Sequence, residues 1–330
     1  MCALIAKIDH TTNSLPFEPT APWLAPLAGY SDLAFRLLCR RLGAGACTTE
    51  MISAKGLIYE SKGTFPLLRT TKDDSPLIVQ LFGAEPEFLV QSMQLLIEAG
   101  YEWFDLNIGC SVPKVMRQNA GAGLFKDPNA LLACAKAMIK TAKPGHVGFK
   151  LRLGLDPNHE WRDLPLILED FGAGWITLHP RYAKQYFKGV ADHAKLARLA
   201  ERLSIPLVGS GDLLTAELGL DCLKSCHLAT VMYARGALRN PAIFLEHINL
   251  ATDLPLKTKR PTLKEIMRTY LDLVNEIYTE RDQTRRMRGI LAAFVHGEHN
   301  AKEIRTRLAH AETMPELYAI LEDYVQDDNA

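Results

Sequence analysis

Residues 103–115 read WFDLNIGCSVPKV. A mostly apolar run ends in the polar Asn107, a glycine and Cys110 follow, and Pro113 and Lys114 close the loop. This pattern is that of a strand delivering a thiol to the rim of a sheet. Taken alone, the stretch fits a packed cysteine beside a tight turn equally well. The rest of the chain decides between the two, because seven other segments end in a similar way.

Those segments are 23–29 (WLAPLAG), 46–51 (ACTTEM), 77–83 (LIVQLFG), 146–154 (HVGFKLRLG), 174–181 (GWITLHPR), 206–212 (PLVGSGD) and 229–236 (ATVMYARG). Apolar residues at three- and four-residue spacing predict helices between them. These follow Ser31 and cover 85–99, 127–142, 164–172, 192–203 and 215–224, with a last one beginning over 238–248. Residues 52–75 read as a longer polar connection with a short helix. Eight alternating units over 23–250 predict an α/β fold, a (β/α)8 TIM barrel, with an open doubly wound sheet as the rival. The barrel places functional residues at the C-terminal ends of its strands, so Glu50, Gln80, Asn107, Lys150, His179 and Arg181 are expected to converge. Neither GAG at 121–123 nor GSG at 209–211 extends to a dinucleotide-binding GxGxxG.

Beyond a linker at 251–260 the strand pattern stops, and 262–280, 282–295, 300–309 and 314–325 read as four helices. The expected division is therefore a catalytic barrel over 1–250 and a helical domain over 251–330. Lys plus Arg balances Asp plus Glu at 38 each in the 330-residue chain, but the distribution is uneven. Residues 257–310 hold twelve basic and seven acidic residues, and 311–330 hold six acidic and no basic ones. Seven scattered cysteines in a large chain fit a reducing compartment. The N-terminus lacks the long apolar core of a signal peptide, and no run is long enough to span a membrane. A cytoplasmic protein, expected to be monomeric, is the reading.

The turns GSGD (209–212) and ARG (234–236) follow the seventh and eighth strands, where backbone N–H groups cradle phosphate in such barrels. Ser210, Gly211, Asp212, Ala234, Arg235 and Gly236 are thus candidates for binding a cofactor phosphate, and the position suits FMN better than a dinucleotide. Lys150 sits inside an apolar strand. A buried ammonium needs a partner or a ligand, so it either faces a flavin or pairs with Glu50 or Asp105. Gln80 and Asn107 offer both donor and acceptor, which suits the edge of a uracil or flavin. Cys110 can serve as a nucleophile with His179 as base, or as an acid that keeps its proton. Cys222, Cys226 and His227 lack a second cluster at zinc-site spacing, so no metal is expected. Arg281, Arg285 and Arg288 share one face of a predicted helix, a stripe suited to an RNA backbone.

Taken together, these motifs resemble the tRNA-dihydrouridine synthase family. The resemblance rests on DLNIGCSVPKV with NAGAGLFKDP (119–128), APLAG with Ser31-Asp32, LIVQLFG, GFKLRLG, HPRYAKQYFKGVAD (179–192), VGSGDL and MYARGALRNPAIF (232–244). It implies an FMN enzyme that reduces uridine in tRNA with NADPH, or NADH, as electron donor. It also implies that Cys110 protonates C5 of the uracil, while Pro26, Leu27, Gln80, Lys150, His179 and the two phosphate turns surround the flavin. Asn107 and Arg181 match residues near the target base, and the helical domain, with Arg285 and Arg288, is expected to hold tRNA. The chain departs from the family pattern at Leu27 (usually Met), Pro180 (Gly or Ala), Tyr182-Ala183 (Thr-Arg) and Ser210 (Asn). A flavin barrel acting on a small molecule is the alternative.

Overall fold

In the computed structural model, residues 14–252, 259–296 and 301–327 are described, without the side chains of 280–286 and 324–327. Nine parallel strands form one sheet: β1 (Trp23–Leu24), β2 (Ala46–Thr48), β3 (Ile52–Ser53), β4 (Leu77–Phe82), β5 (Trp103–Ile108), β6 (Val147–Arg152), β7 (Trp175–His179), β8 (Leu207–Gly209) and β9 (Thr230–Tyr233). β1 pairs with both β2 and β9, and β2 pairs with β4, so the sheet closes. β3 lies along the far end of β4 and continues the line of β2. The result is an eight-stranded parallel barrel, and a helical region follows it.

Two-residue alternation along the strands sorts the interior into layers. At the floor Trp23, Ala46, Ile78, Trp175 and Val208 form a buried cluster, with Trp103 packed against it. Trp23 and Trp175 meet edge to face at 6.0 Å, and Trp103 meets Trp175 at 6.3 Å. Gly148 makes room for them: a Cβ there would lie 1.9 Å from the Trp175 ring. Leu15 and Phe17 plug this end. Higher up β4, β5, β6 and β7 the inward residues turn polar, with Gln80, Asp105, Asn107, Lys150, Thr177 and His179. The floor is therefore dry and filled, and the chemistry sits above it.

The helices start where local chemistry allows. Asp32, Asp127 and Thr215 accept hydrogen bonds from Phe35, Ala130 and Leu218 backbone N–H groups at 3.0, 3.0 and 3.3 Å. The connection over 52–75 contains the helix Ala54–Ile58 and two 3₁₀ turns, Phe65–Leu68 and Lys72–Asp74. It is tied down by a buried ion pair between Arg36 and Asp74 at 2.8 Å. The helix expected over 238–248 is two helices, Arg235–Arg239 and Ile243–Thr252. Pro241 cannot donate to a continuous helix, and the Asn240 side chain accepts from Ala242 N–H at 3.1 Å to start the second. β1 is shorter than the apolar run suggests, because Pro26 lacks the N–H needed to extend the pairing.

The C-terminal helices are Leu263–Ile277, Glu280–Phe294, Ala301–His310 and Met314–Asp327. The first opens with a capping box between Thr262 and Glu265. It buries Ile266, Met267, Tyr270, Leu271 and Val274, in one cluster with the barrel's own helix Leu33–Arg41. Phe294 meets Phe35 at 6.2 Å and Tyr270 at 5.8 Å. The linker expected from 251 starts later, because the preceding helix runs to Thr252; residues 253–258 lie outside the described ones.

Candidate active site

At the C-terminal rim of the barrel lies a cleft of about 270 Å³. Of the residues expected there, Pro26, Leu27, Gln80, Asn107, Cys110, Lys150, His179, Ser210, Gly211, Asp212, Ala234 and Arg235 all line it. They come from seven of the eight barrel units, so the fold alone gathers them. Met51, Arg152 and Phe187 line it as well and were not expected. Arg152 was legible, since it lies two residues past Lys150 on an alternating strand. Nothing in the local sequence marks Met51 or Phe187.

The thiol is held by its backbone. Asn107 Oδ1 accepts from the N–H groups of Gly109 at 3.1 Å and Cys110 at 2.8 Å. The Cys110 carbonyl accepts from Ala122 N–H at 2.9 Å. Gly121 at φ +59° lets this second segment approach, because a Cβ there would lie 2.7 Å from the Cys110 carbonyl oxygen. Asn107 is itself fixed. Its Nδ2 donates to Gln80 Oε1 at 2.8 Å, and Gln80 Nε2 donates to Asp105 Oδ2 at 2.7 Å. A single amide relay thus runs from a buried carboxyl to the cysteine loop. Burial pushes the Cys110 thiol above its ordinary pKa, against the opposing pull of the Val112 N–H and Arg152. The thiol is therefore protonated at neutral pH, which favours an acid over a thiolate nucleophile.

Lys150 stands between Asn107 on β5 and Thr177 on β7. Burial pulls its ammonium down and pushes the Asp105 carboxyl up, and attraction between the two groups opposes both shifts. Of the two carboxylates expected beside Lys150, Asp105 is the one whose charge acts on it. Glu50, expected at the same mouth, accepts from Gly29 N–H. His179 is held well below its usual pKa, first by burial and then by Lys150, Arg152 and Arg181. Arg181 can only donate, and its Nη1 lies 3.2 Å from His179 Nε2. The imidazole is therefore neutral with its proton on Nδ1.

Arg181 corrects one expectation. It does not line the cleft but lies fully buried behind His179. Its guanidinium donates to the carbonyls of Lys188 at 3.2 Å and Gly189 at 2.7 Å, and to Asp212 Oδ2 at 2.6 Å. The chain after His179 folds back over it, so four of its five N–H donors are directed at groups of the protein itself. Asp212 is likewise occupied, accepting from Arg181, from Ala191 N–H at 2.8 Å and from Arg235 at 3.0 Å. Burial would raise its pKa, but these donors bring it below the usual value. Gly211 at φ +108° packs on His179, where a Cβ would come within 2.7 Å of the ring. Gly236 lies behind the lining, its Cα against the Leu213 carbonyl, where a Cβ would sit at 2.5 Å. The two glycine turns therefore touch each other through their backbones.

In the helical region Arg288 is half-buried and donates through Nη1 to the Ala309 carbonyl at 3.3 Å. That satisfies the C-terminal end of the helix Ala301–His310, so Arg288 is tied down within the domain rather than standing free. The side chains of Arg281 and Arg285 lie outside the described residues. Among the described residues no group of three or more His, Cys, Asp or Glu stands close enough to hold a metal ion. The six cysteines described are all free thiols. No described helix is long and apolar enough to cross a membrane.

Comparison with known proteins agrees with this geometry. The family described as Dihydrouridine synthase (Dus) matches residues 23–329. A probable tRNA-dihydrouridine synthase of Aquifex aeolicus is 32% identical over 309 residues, covering 91% of this chain and 94% of that protein. The probable tRNA-dihydrouridine synthase of Treponema pallidum is 30% identical, covering 91% and 92%. One from Mycobacterium tuberculosis is 32% identical, covering 93% and 83%. Among solved structures, morphinone reductase in complex with tetrahydroNAD overlaps 80% of this chain and 89% of its own, at 13% identity and TM-score 0.46, too distant a likeness to bear on the site. With the match running from the first barrel strand to the last helix, this chain belongs to the dihydrouridine synthase family.

Proposed function

We propose that this protein is a tRNA-dihydrouridine synthase that reduces the C5–C6 double bond of uridines in tRNA, using bound FMN and NADPH. The observation that carries the reading is Cys110, its backbone anchored at both N–H and carbonyl, in the same cleft as Lys150 and His179.

The cleft fits FMN. Its walls at Ala25, Pro26, Leu27 and Met232 are apolar, as a flat ring system requires, and Gln80 and Lys150 offer polar groups to a pyrimidine edge. The backbone turns at Gly211 and Gly236 leave no room for a side chain, and Arg235 stands at the mouth with a partly exposed guanidinium to meet a phosphate. When bound, FMN supplies the hydride that C6 of the uracil receives, with NADPH as the electron source.

The remaining steps belong to this chain. Hydride at C6 leaves negative charge on C5 and O4. Cys110 delivers a proton to C5, as a neutral thiol positioned by Asn107 and Ala122 can. Lys150 places positive charge where the ring accumulates negative charge. Neutral His179, locked by Arg181 and Gly211, offers Nδ1–H as a fixed donor. Arg181 is thus a positioning residue. The base must leave its stack to reach the cleft, which is least costly for an exposed loop nucleotide. The C-terminal helices, roughly 251–330, supply part of the tRNA-holding surface.

The test is direct. Purified protein loaded with FMN is given NADPH and tRNA lacking dihydrouridine. Dihydrouridine in the tRNA is the expected result, with none from free uridine or uracil. Reduction of the free compounds at the rate seen with tRNA would replace the reading with that of a small-molecule reductase.

A further inference from the structure

Beside the catalytic cleft runs a second, shallower groove of about 390 Å³. The two share their walls residue by residue. On one wall Cys110 and Val112 face the cleft while Ser111 and Pro113 face the groove. On the other Phe187 faces the cleft while Tyr186 faces the groove. The groove is completed by Arg117 and Lys126, both exposed. Neither side chain has a hydrogen-bond or ion-pair partner among the described residues.

The Tyr186 ring is held out on purpose-built backbone. Tyr186 has φ +52°, a conformation that an aromatic residue seldom adopts. Buried arginines pin the loop around it. Arg152 Nη1 donates to the carbonyls of Tyr182 at 3.0 Å and Tyr186 at 2.8 Å, while Arg181 holds those of Lys188 and Gly189. Tyr186 remains 48% exposed, and Phe187 beside it 59%. An aromatic fixed in water by a strained, well-anchored loop, facing two free cations, matches what single-stranded nucleic acid needs: a stacking face and charge for the phosphate. A small molecule is a poor occupant, because so open a groove would leave most of its surface in water.

We propose that this groove is a second nucleotide subsite. It seats the RNA nucleotide next to the uridine in the cleft, with its base on the Tyr186 ring and its phosphate between Arg117 and Lys126. The inference rests on reading the cleft as a uridine site in tRNA. The one-residue ridge between the two pockets then separates consecutive nucleotides, so the subsite fixes which base turns into the cleft.

The test is equilibrium binding of tRNA to the FMN-loaded protein over a range of salt, which needs no turnover. Tyr186→Ala and Tyr186→Leu are expected to weaken binding ~5- to ~150-fold, and Tyr186→Phe to retain it, because stacking needs a ring and not a hydroxyl. Arg117→Gln with Lys126→Gln is expected to flatten the dependence of log affinity on log salt by ~0.7 for each phosphate that is no longer neutralised. Tyr186→Ala binding tRNA as the parent does, or Tyr186→Leu matching Tyr186→Phe, would overturn the proposal. So would an unchanged salt slope in the double variant. Dihydrouridine formation by the parent is measured in parallel. If the parent forms none while the ring series holds, the cleft reading fails, and the groove stands as an RNA-binding surface but not as the neighbour of a target uridine; the converse result removes the groove alone.

Discussion

At the residue scale, protons decide how the site works. The Cys110 thiol must carry its proton to act as an acid, and burial raises its pKa. Lys150, lowered by burial to about 8, loses its charge over the same range, so the thiol must be read apart from turnover. The pH dependence of Cys110 alkylation by iodoacetamide does this: its midpoint should lie above the ~8.5 of an ordinary cysteine, and a midpoint below ~8.5 would contradict it. His179 works in the opposite direction. Its folded pKa lies below the unfolded value of about 6.5, so below that pH the unfolded chain takes a proton that the folded chain refuses. Stability contributed by neutral His179 is present above about pH 6.5 and is lost as pH falls toward the folded value. His179→Gln should flatten the decline in unfolding free energy between neutral and acid pH, and an unchanged slope would sink the assignment.

At the scale of strands and turns, the close approach of the β8 turn to His179 has a measurable cost. Gly211→Ala introduces a Cβ 2.7 Å from the imidazole at a positive φ. It should destabilise the protein by ~1–3 kcal/mol, the range for strained backbone, and lower FMN content, as denaturant unfolding and flavin absorbance would show. Parent-like values for both would mean that the turn is slack. Much of this level was legible in the sequence. Eight strand-like segments predicted the barrel, and the rule that barrel sites lie at strand C-terminal ends then gathered Gln80, Asn107, Lys150 and His179. Arg181 was less legible. Alternation sets it on the same face as His179, but the loop after Pro180 folds back to present carbonyls seven and eight residues later, a long-range path that no local pattern encodes. The groove at Tyr186 was illegible for the same reason, since its walls come from loops about 75 residues apart.

At the scale of the whole molecule, the barrel and the C-terminal helices share a continuous apolar cluster, so the boundary expected near 250 is not a break in the core. Among the described residues the most deeply buried ion pair is in the barrel's outer layer. Arg36 and Asp74 are both almost completely buried, and Arg36 also donates to the carbonyls of Ser31 and Arg69. Arg36→Leu leaves an unpaired buried carboxylate and should cost about 3–5 kcal/mol in unfolding free energy; a loss within error of zero would show that the pair is dispensable. In the helical region, charge reversal at Arg285 and Arg288 should weaken tRNA binding more than FMN binding. Equal tRNA affinity at low salt would remove that face from the RNA path. The arginine stripe was visible in sequence, but the tie from Arg288 to Ala309 was not, because helix periodicity says nothing of which neighbouring helix end an arginine will cap.

The most direct test of the central claim compares parent and Cys110→Ala at matched flavin content, with the flavin reduced by NADPH before tRNA is added. Single-turnover formation of dihydrouridine is followed. Loss of a positioned acid predicts a variant slower by ~10²- to ~10⁴-fold, with its flavin still reduced by NADPH. Dihydrouridine formed by the variant at the parent's rate would show that the proton reaches C5 from elsewhere, and that Cys110 is not the acid.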